Sequence, residues 1–180
     1  MRKIVAGLFI SLDGVVESPE KWHFPYFNDE MAQIVGAQMQ EADAMLLGRR
    51  TYEEFAAYWP NPEPQAADLA GYMNGTPKHV VTTTLRTAEW QNSSIVQGDV
   101  PAALKELKER PGKDISITGS PTLVRSLLRD GLLDELRLLI HPVVVGWGAK
   151  LFTDGDQVPL RLLSGRTLET GVIHAIYGRA

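Results

Sequence analysis

The chain has 180 residues, 44% hydrophobic and 22% charged, the size and balance of one globular domain with a sizeable core. Its 18 Lys+Arg against 22 Asp+Glu leave a net charge of -4 with no basic run, which argues against a nucleic-acid partner. It contains no cysteine, so disulfides, a thiolate nucleophile and Cys-ligated zinc are excluded.

Residues 3–12 (KIVAGLFISL) read as a first strand, apolar on both faces and therefore central. Asp13-Gly14 is a turn signal, and residues 15–27 form an irregular loop rich in aromatics. Asn28 is placed to cap a helix whose first turn holds Asp29 and Glu30. Met31, Ile34, Val35, Gln38 and Met39 continue its face to about residue 41. A short buried strand over 44–47 leads into a helix over 51–58, with Thr51 and Glu54 spaced as a capping box. Pro60, Pro62 and Pro64 break the chain before a short helix over 65–73 and a strand over 78–82.

A brief strand at 95–96 precedes a helix over 99–109, with Asp99 as candidate cap and Pro101 near its start. A strand over 114–118 and a helix over 121–129 follow, the latter capped by Ser120 with Pro121 first. The tail is β-rich: a long strand over 135–145, a turn at 146–148, and antiparallel strands over 160–168 and 171–177. The whole predicts one α/β domain over 1–180, a three-layer α/β/α arrangement on a mixed central sheet with a β-rich C-terminal part. No apolar run approaches a bilayer span, and the apolar start meets Asp13 before any cleavage site, so a cytoplasmic protein without a membrane partner is expected.

In open α/β sheets ligands sit beyond the carboxyl ends of strands, and three such junctions carry suitable residues. At Gly48-Arg49-Arg50-Thr51 a glycine and a new helix start can receive an anion, and a guanidinium fork suits a phosphate. Thr82, Thr83 and Thr84 offer hydroxyls at a second strand end. Gly119-Ser120-Pro121-Thr122 places a glycine before a helix start, a seat for a pyrophosphate. None matches G-x-G-x-x-G, so a standard dinucleotide fingerprint is absent. Read alone, each junction is also an ordinary helix start or a β-branched strand.

These stretches in this order resemble the dihydrofolate-reductase-like superfamily, and within it the reductase domain of riboflavin biosynthesis and its stand-alone relatives. The resemblance rests on SLDG (11–14), LGRRTYE (47–53), VTTT (81–84), ITGSPTLVRSLL (117–128) and DELRLLIHPVVVGWGAKLF (134–152), and covers nearly the whole chain. It implies an NADPH-dependent reductase of a small heterocyclic or carbonyl substrate, similar to the phosphoribosylaminouracil reductase of riboflavin biosynthesis. Gly48, Arg49, Arg50 and Thr51 would then hold the adenosine phosphate and pyrophosphate. Thr82, Thr83 and Thr84 would meet the adenosine end. Gly119, Ser120, Pro121 and Thr122 would seat the pyrophosphate, and Leu12, Asp13, Gly14 and Val15 would flank the nicotinamide. Ser120 stands where the family usually has a second glycine. Asp29 and Glu30 lie near the acidic residue of dihydrofolate reductases without its surrounding pattern.

Asp13, His23 or a water held by Asp29 or Glu30 are candidate proton donors, and Trp22 with His23 and Phe24 can form a lid over a flat ring. His141 and His174 show no metal-like spacing, and no metal site is expected. The alternatives are dihydrofolate reduction and a non-catalytic nucleotide-binding scaffold, which would fill the pocket with Trp22, Phe24 and Phe27. The apolar strands of the tail suggest a homodimer.

Overall fold

A computed structural model describes residues 1–155 and 157–180. The strands are β1 (Ile4–Ser11), β2 (Ala42–Gly48), β3 (Lys78–Val81), β4 (Ser93–Val96), β5 (Asp114–Ile117), β6 (Glu135–His141), β7 (Leu160–Thr167) and β8 (Ile173–Arg179). The helices are α1 (Asp29–Glu41), α2 (Arg49–Tyr58), α3 (Ala67–Gly75), α4 (Val100–Glu109) and α5 (Pro121–Arg129). Among the described residues no helix is long and apolar enough to cross a membrane.

Among the described residues eight strands form one sheet in the order β4-β3-β2-β5-β1-β6-β8-β7. The six from β4 to β6 run parallel, and β8 pairs antiparallel with both β6 and β7, so the sheet is mixed. Alternation along the inner strands sends successive side chains to opposite faces. Ile4, Ala6, Leu8 and Ile10 of β1 join Ala44 and Leu46 of β2 in a core closed by Leu104 and Leu107 of α4 and Leu123, Val124 and Leu127 of α5. Met45 and Leu47 of β2 face the other way, onto Tyr52 of α2 and Met73 of α3. Phe9 lies on that second face, with Met31 and Ile34 of α1. The three layers are thus α4/α5, sheet and α1/α2/α3.

Local signals set most boundaries. Asn28 caps α1 by accepting from the Met31 N–H at 3.0 Å, and Asp99 caps α4 by accepting from the Ala102 N–H at 3.0 Å. Three expectations are corrected. The predicted strand over 135–145 stops at His141, because Pro142 has no N–H to extend the ladder and the Val143 N–H turns back to the His141 carbonyl. The Thr51–Glu54 capping box does not form: α2 starts earlier, at Arg49, and Thr51 is buried inside its first turn. Ser120 occupies the cap position of α5 without capping it, since its hydroxyl is engaged elsewhere.

One device of the fold has no signature in the hydrophobic pattern. Lys78, at the start of β3, is fully buried. Its ammonium donates to the carbonyls of Met73 (2.8 Å), Asn74 (3.1 Å) and Thr76 (2.7 Å), and lies 4.1 Å from the centre of the Trp90 ring. It satisfies carbonyls that the end of α3 leaves without helical partners. Lys78→Met keeps the chain length and removes these bonds, and is expected to destabilise the fold by about 2–3 kcal/mol in urea unfolding. A midpoint equal to the parent's would refute this role.

Candidate functional site

The carboxyl ends of β3, β2, β5 and β1 are neighbours in the sheet, so the four segments that follow them share one edge. The helices after β2 and β5 begin there, and their first N–H groups and positive dipole ends give that edge a preference for anions.

The two helix starts are locked together by Ser120. Its hydroxyl accepts from the Gly48 N–H at 2.7 Å and donates to the Thr51 hydroxyl at 2.8 Å. The approach is close enough to exclude side chains: a Cβ on Gly48 would stand 2.9 Å from Ser120 Oγ, and one on Gly119 would stand 2.9 Å from the Thr51 methyl. Ser120 itself holds φ 66°, a left-handed conformation that favours glycine. Its two hydrogen bonds offset that strain and turn the hydroxymethyl into the protein. Pro121 begins α5, and Thr122 is exposed and accepts from Arg125 at 3.1 Å.

Arg49 and Arg50 are exposed on the first turn of α2, with Arg49 paired to Glu53 at 3.0 Å. Thr82 is buried and folds the chain back by accepting from the N–H groups of Thr84 and Leu85. Thr83 and Thr84 are exposed beyond it. The structure therefore gathers Gly48, Arg49, Arg50, Thr51, Thr82, Thr83, Thr84, Gly119, Ser120, Pro121 and Thr122 on adjoining strand ends.

At the end of β1 the turn is built around Asp13. Its carboxylate accepts from the Ser11 hydroxyl at 2.6 Å and from the N–H groups of Val145 (3.0 Å) and Gly146 (2.9 Å). These bonds, the Ser11 hydroxyl first, hold the Asp13 pKa down to about 2. Asp13 is thus ionised at neutral pH and ties the β1 turn to the loop after β6. Gly14 takes φ 87°, Val15 is buried against that loop, and Leu12 is 67% exposed at the strand end.

The aromatic loop closes over the β1–β6 end of the sheet. His23 is buried and stacks on Phe9 with ring centres 4.5 Å apart. Trp22 is buried edge-on to His141 and donates its indole N–H to the Glu17 carbonyl. Burial, helped by the neighbouring His141, pushes the His23 pKa down to about 4, so His23 is neutral at pH 7. Phe24 and Phe27 point outward, 62% and 44% exposed. Asp29 is exposed, while Glu30 accepts from the Glu169 N–H at 3.1 Å and faces Arg166. Neither carboxylate joins the strand-end row.

A groove of about 150 Å³ runs between α1 and the second face of the sheet. Val5, Gly7 and Phe9 form its floor, Val35, Gln38 and Met39 of α1 its opposite wall, and Val16, Pro19 and Thr118 line it toward the carboxyl ends of the strands. Thr118 directly precedes Gly119, so this end of the groove lies beside the two helix starts. At the far end Arg137 pairs with Glu41 and with Glu135. The sequence reading missed this groove; a glycine inside an apolar strand, Gly7, was its available signal.

A family model, the RibD C-terminal domain, matches residues 2–174. The uncharacterized Bacillus subtilis protein YyaP is 32% identical over 187 residues, covering 98% of this chain and 94% of the relative. A second uncharacterized protein of that organism, YwjB, is 27% identical over 165 residues, covering 89% of each. Of solved structures, a protein from Shewanella sp. PV-4 assigned to riboflavin biosynthesis superposes with TM-score 0.75 at 19% identity, over 100% of this chain and 99% of the other. A pyrimidine reductase-like protein from Corynebacterium diphtheriae gives TM-score 0.67 at 18% identity, over 98% and 91%. Both structural likenesses are of fold.

The His23 environment carries a pH dependence of definite sign. An unfolded chain takes up a proton on this imidazole as pH falls through about 6.5, whereas the folded protein resists until about 4. Acid in that window therefore favours unfolding, and stability is regained as pH rises. His23→Phe keeps an aromatic ring on Phe9 and is expected to lose about 2–3 kcal/mol less between pH 6.5 and 4 than the parent, read by urea unfolding across pH. Identical pH profiles for the two proteins would refute the assignment.

Proposed function

The chain belongs to the RibD C-terminal domain family, and on that premise we propose that it is a reductase that uses NADPH to reduce a small heterocyclic or carbonyl substrate. The observation that carries the reading is the pair of helix starts locked by Ser120 next to Thr118 of the groove, an anion seat beside a space for a small ring.

The donor set fits the cofactor. Gly48, Thr51, Gly119, Ser120, Pro121 and Thr122 would hold the pyrophosphate, with Arg49 and Arg50 on the ribose phosphate and Thr82, Thr83 and Thr84 at the adenosine end. Leu12, Asp13, Gly14 and Val15 would flank the nicotinamide, with exposed Leu12 supplying an apolar surface. When bound, NADPH supplies the hydride; the chain's own residues bind, orient and exclude water. Asp13 acts by position: ionised, it anchors the loop at 145–146. An ionised Asp13 and a neutral His23 point to water as the source of the proton. Trp22 supports the aromatic loop beside the groove.

The open groove favours an enzyme over a scaffold, because Trp22 packs on His141 and Phe24 and Phe27 turn outward instead of filling it. It also disfavours folate reduction. Glu30 is spent on Glu169 and Arg166, and about 150 Å³ is room for a single six-membered ring. The sheet ends on β7, with Leu162 and Leu163 exposed, which supports a homodimer through that edge. A cytoplasmic place for the protein fits the same reading.

Fluorescence titration is expected to give micromolar NADPH binding with clear preference over NADH. The Arg49→Ala/Arg50→Ala double variant should lose about tenfold or more in NADPH affinity and leave NADH unchanged. An unaltered NADPH affinity would sink the assignment of these arginines. Light scattering at the dimer mass is expected; a monomer would overturn the dimer.

A further inference from the structure

We infer that Gln38 is the specificity-determining residue of the groove and selects a neutral ring with a lactam edge, an N–H beside a C=O, over a protonated diamino ring. This deepens the proposed reductase reading of the groove and rests on it.

The case begins at Gly7. A Cβ built there would stand 2.8 Å from Gln38 Oε1 and 3.6 Å from Cδ. A Cβ there would push the end of the flexible Gln38 side chain aside, so the missing side chain on β1 is what leaves room for the amide on the floor of the groove. Gly7 has no positive φ, so backbone conformation gives no reason for glycine here; the approach of the amide does. Around the amide the lining is mixed: Val5, Phe9, Val35, Met39 and Leu139 are apolar, while Arg137 on β6 is the cross-strand neighbour of Gly7 and Ser116 on β5 that of Val5.

A carboxamide offers one acceptor and two donors, and either orientation presents a donor beside an acceptor. A lactam edge is its complement: the ring N–H donates to Oε1 while Nε2 donates to the ring carbonyl. A protonated diaminopyrimidine offers only donors along the corresponding edge, which would set one of them against Nε2. A carboxylate at that place would invert the preference, because it accepts twice and carries the opposite charge. The carboxylates that do line the groove are already engaged. Glu41 is paired with Arg137, and Asp114 accepts from the Lys3 N–H at 3.2 Å. The apolar part of the lining makes an unmatched donor costly, and the Arg137 cation beside Gly7 works against a protonated ring in the same direction.

The test uses uracil and 2,4-diaminopyrimidine as probes at pH 6, with dissociation constants from ligand-observed NMR on the full chain without cofactor. The parent is expected to prefer uracil by about tenfold. Gln38→Leu should lose about tenfold on uracil, and Gln38→Glu should reverse the preference. Gly7→Ala puts a methyl 2.8 Å from the present position of Oε1, which displaces the amide from the floor, on an extended backbone that accepts alanine, and should also lose about tenfold on uracil. Thermal melting confirms that each variant is folded, and Gly7→Ala keeps the test open if a Gln38 variant is not. Absence of a preference in the parent, or parental uracil binding by both Gln38→Leu and Gly7→Ala, would overturn the proposal. NADPH titration of the same samples separates the two readings. Lost cofactor binding with uracil selectivity intact sinks the reductase and keeps Gln38. Intact cofactor binding without selectivity does the reverse.

Discussion

The edge that gathers the strand ends depends on one hydroxyl. Two helices that start side by side bring their positive ends together, an arrangement that repels unless the N–H groups are shared out or offered to an anion. Ser120 shares them: its oxygen takes the Gly48 N–H and its proton goes to Thr51. Hydrogen bonds of this kind require close approach, and close approach requires that Gly48 and Gly119 have no side chains. The left-handed backbone at Ser120 is the strain that results, and strain of this sort persists only where surrounding contacts over-determine it. Glycine would remove the strain and the lock together. Serine keeps the strain and fixes the spacing of the two helix starts.

A second anchor repeats the logic with a charge. Asp13 takes two N–H groups of the loop after β6, which Pro142 has released from the ladder, and a hydroxyl from its own strand. Those donors stabilise the carboxylate and depress its pKa, so the anchor is at full strength at neutral pH. On the same end of the sheet two histidines lie buried and neutral among aromatic rings, where burial disfavours their charged forms. A residue that titrates in solution near neutrality has been made inert there, and a carboxylate has been made permanently charged. Both shifts suit groups that hold loops in place better than groups that pass protons.

Much of this is legible in the amino-acid sequence alone. Asn28, Asp99 and Pro121 mark helix starts because capping is local, needing only a side-chain oxygen or a fixed φ at one position. Gly48, Thr82 and Gly119 pointed to one edge because strands joined by crossover helices run parallel and bring their ends together. The groove was not legible, and the reason is physical. Gln38 falls at helical spacing with Met31, Ile34 and Val35, so periodicity counts it as part of the buried face. That face is the one that packs on the sheet, and only the tertiary contact with Gly7 turns a polar interruption into a lining residue. Lys78 was hidden in the same way: its three acceptors are set by how α3 ends, not by anything in strand periodicity.

The two halves of the proposed site meet at one peptide. Thr118 lines the groove, and Gly119, the next residue, starts the turn into α5, so groove and anion seat adjoin along the chain. Hydride transfer needs its partners in contact, with water kept out of the path. A sheet strand is a stiff way to hold the two halves together, because β5 is paired on both sides, to β1 and to β2. Neighbouring β1 serves both halves as well: Gly7 gives the groove its floor, and four residues on Ser11 holds Asp13. Two adjacent parallel strands therefore carry each part of the site at a fixed height, and the loops beyond them have only to be tied down, which Ser120 and Asp13 do.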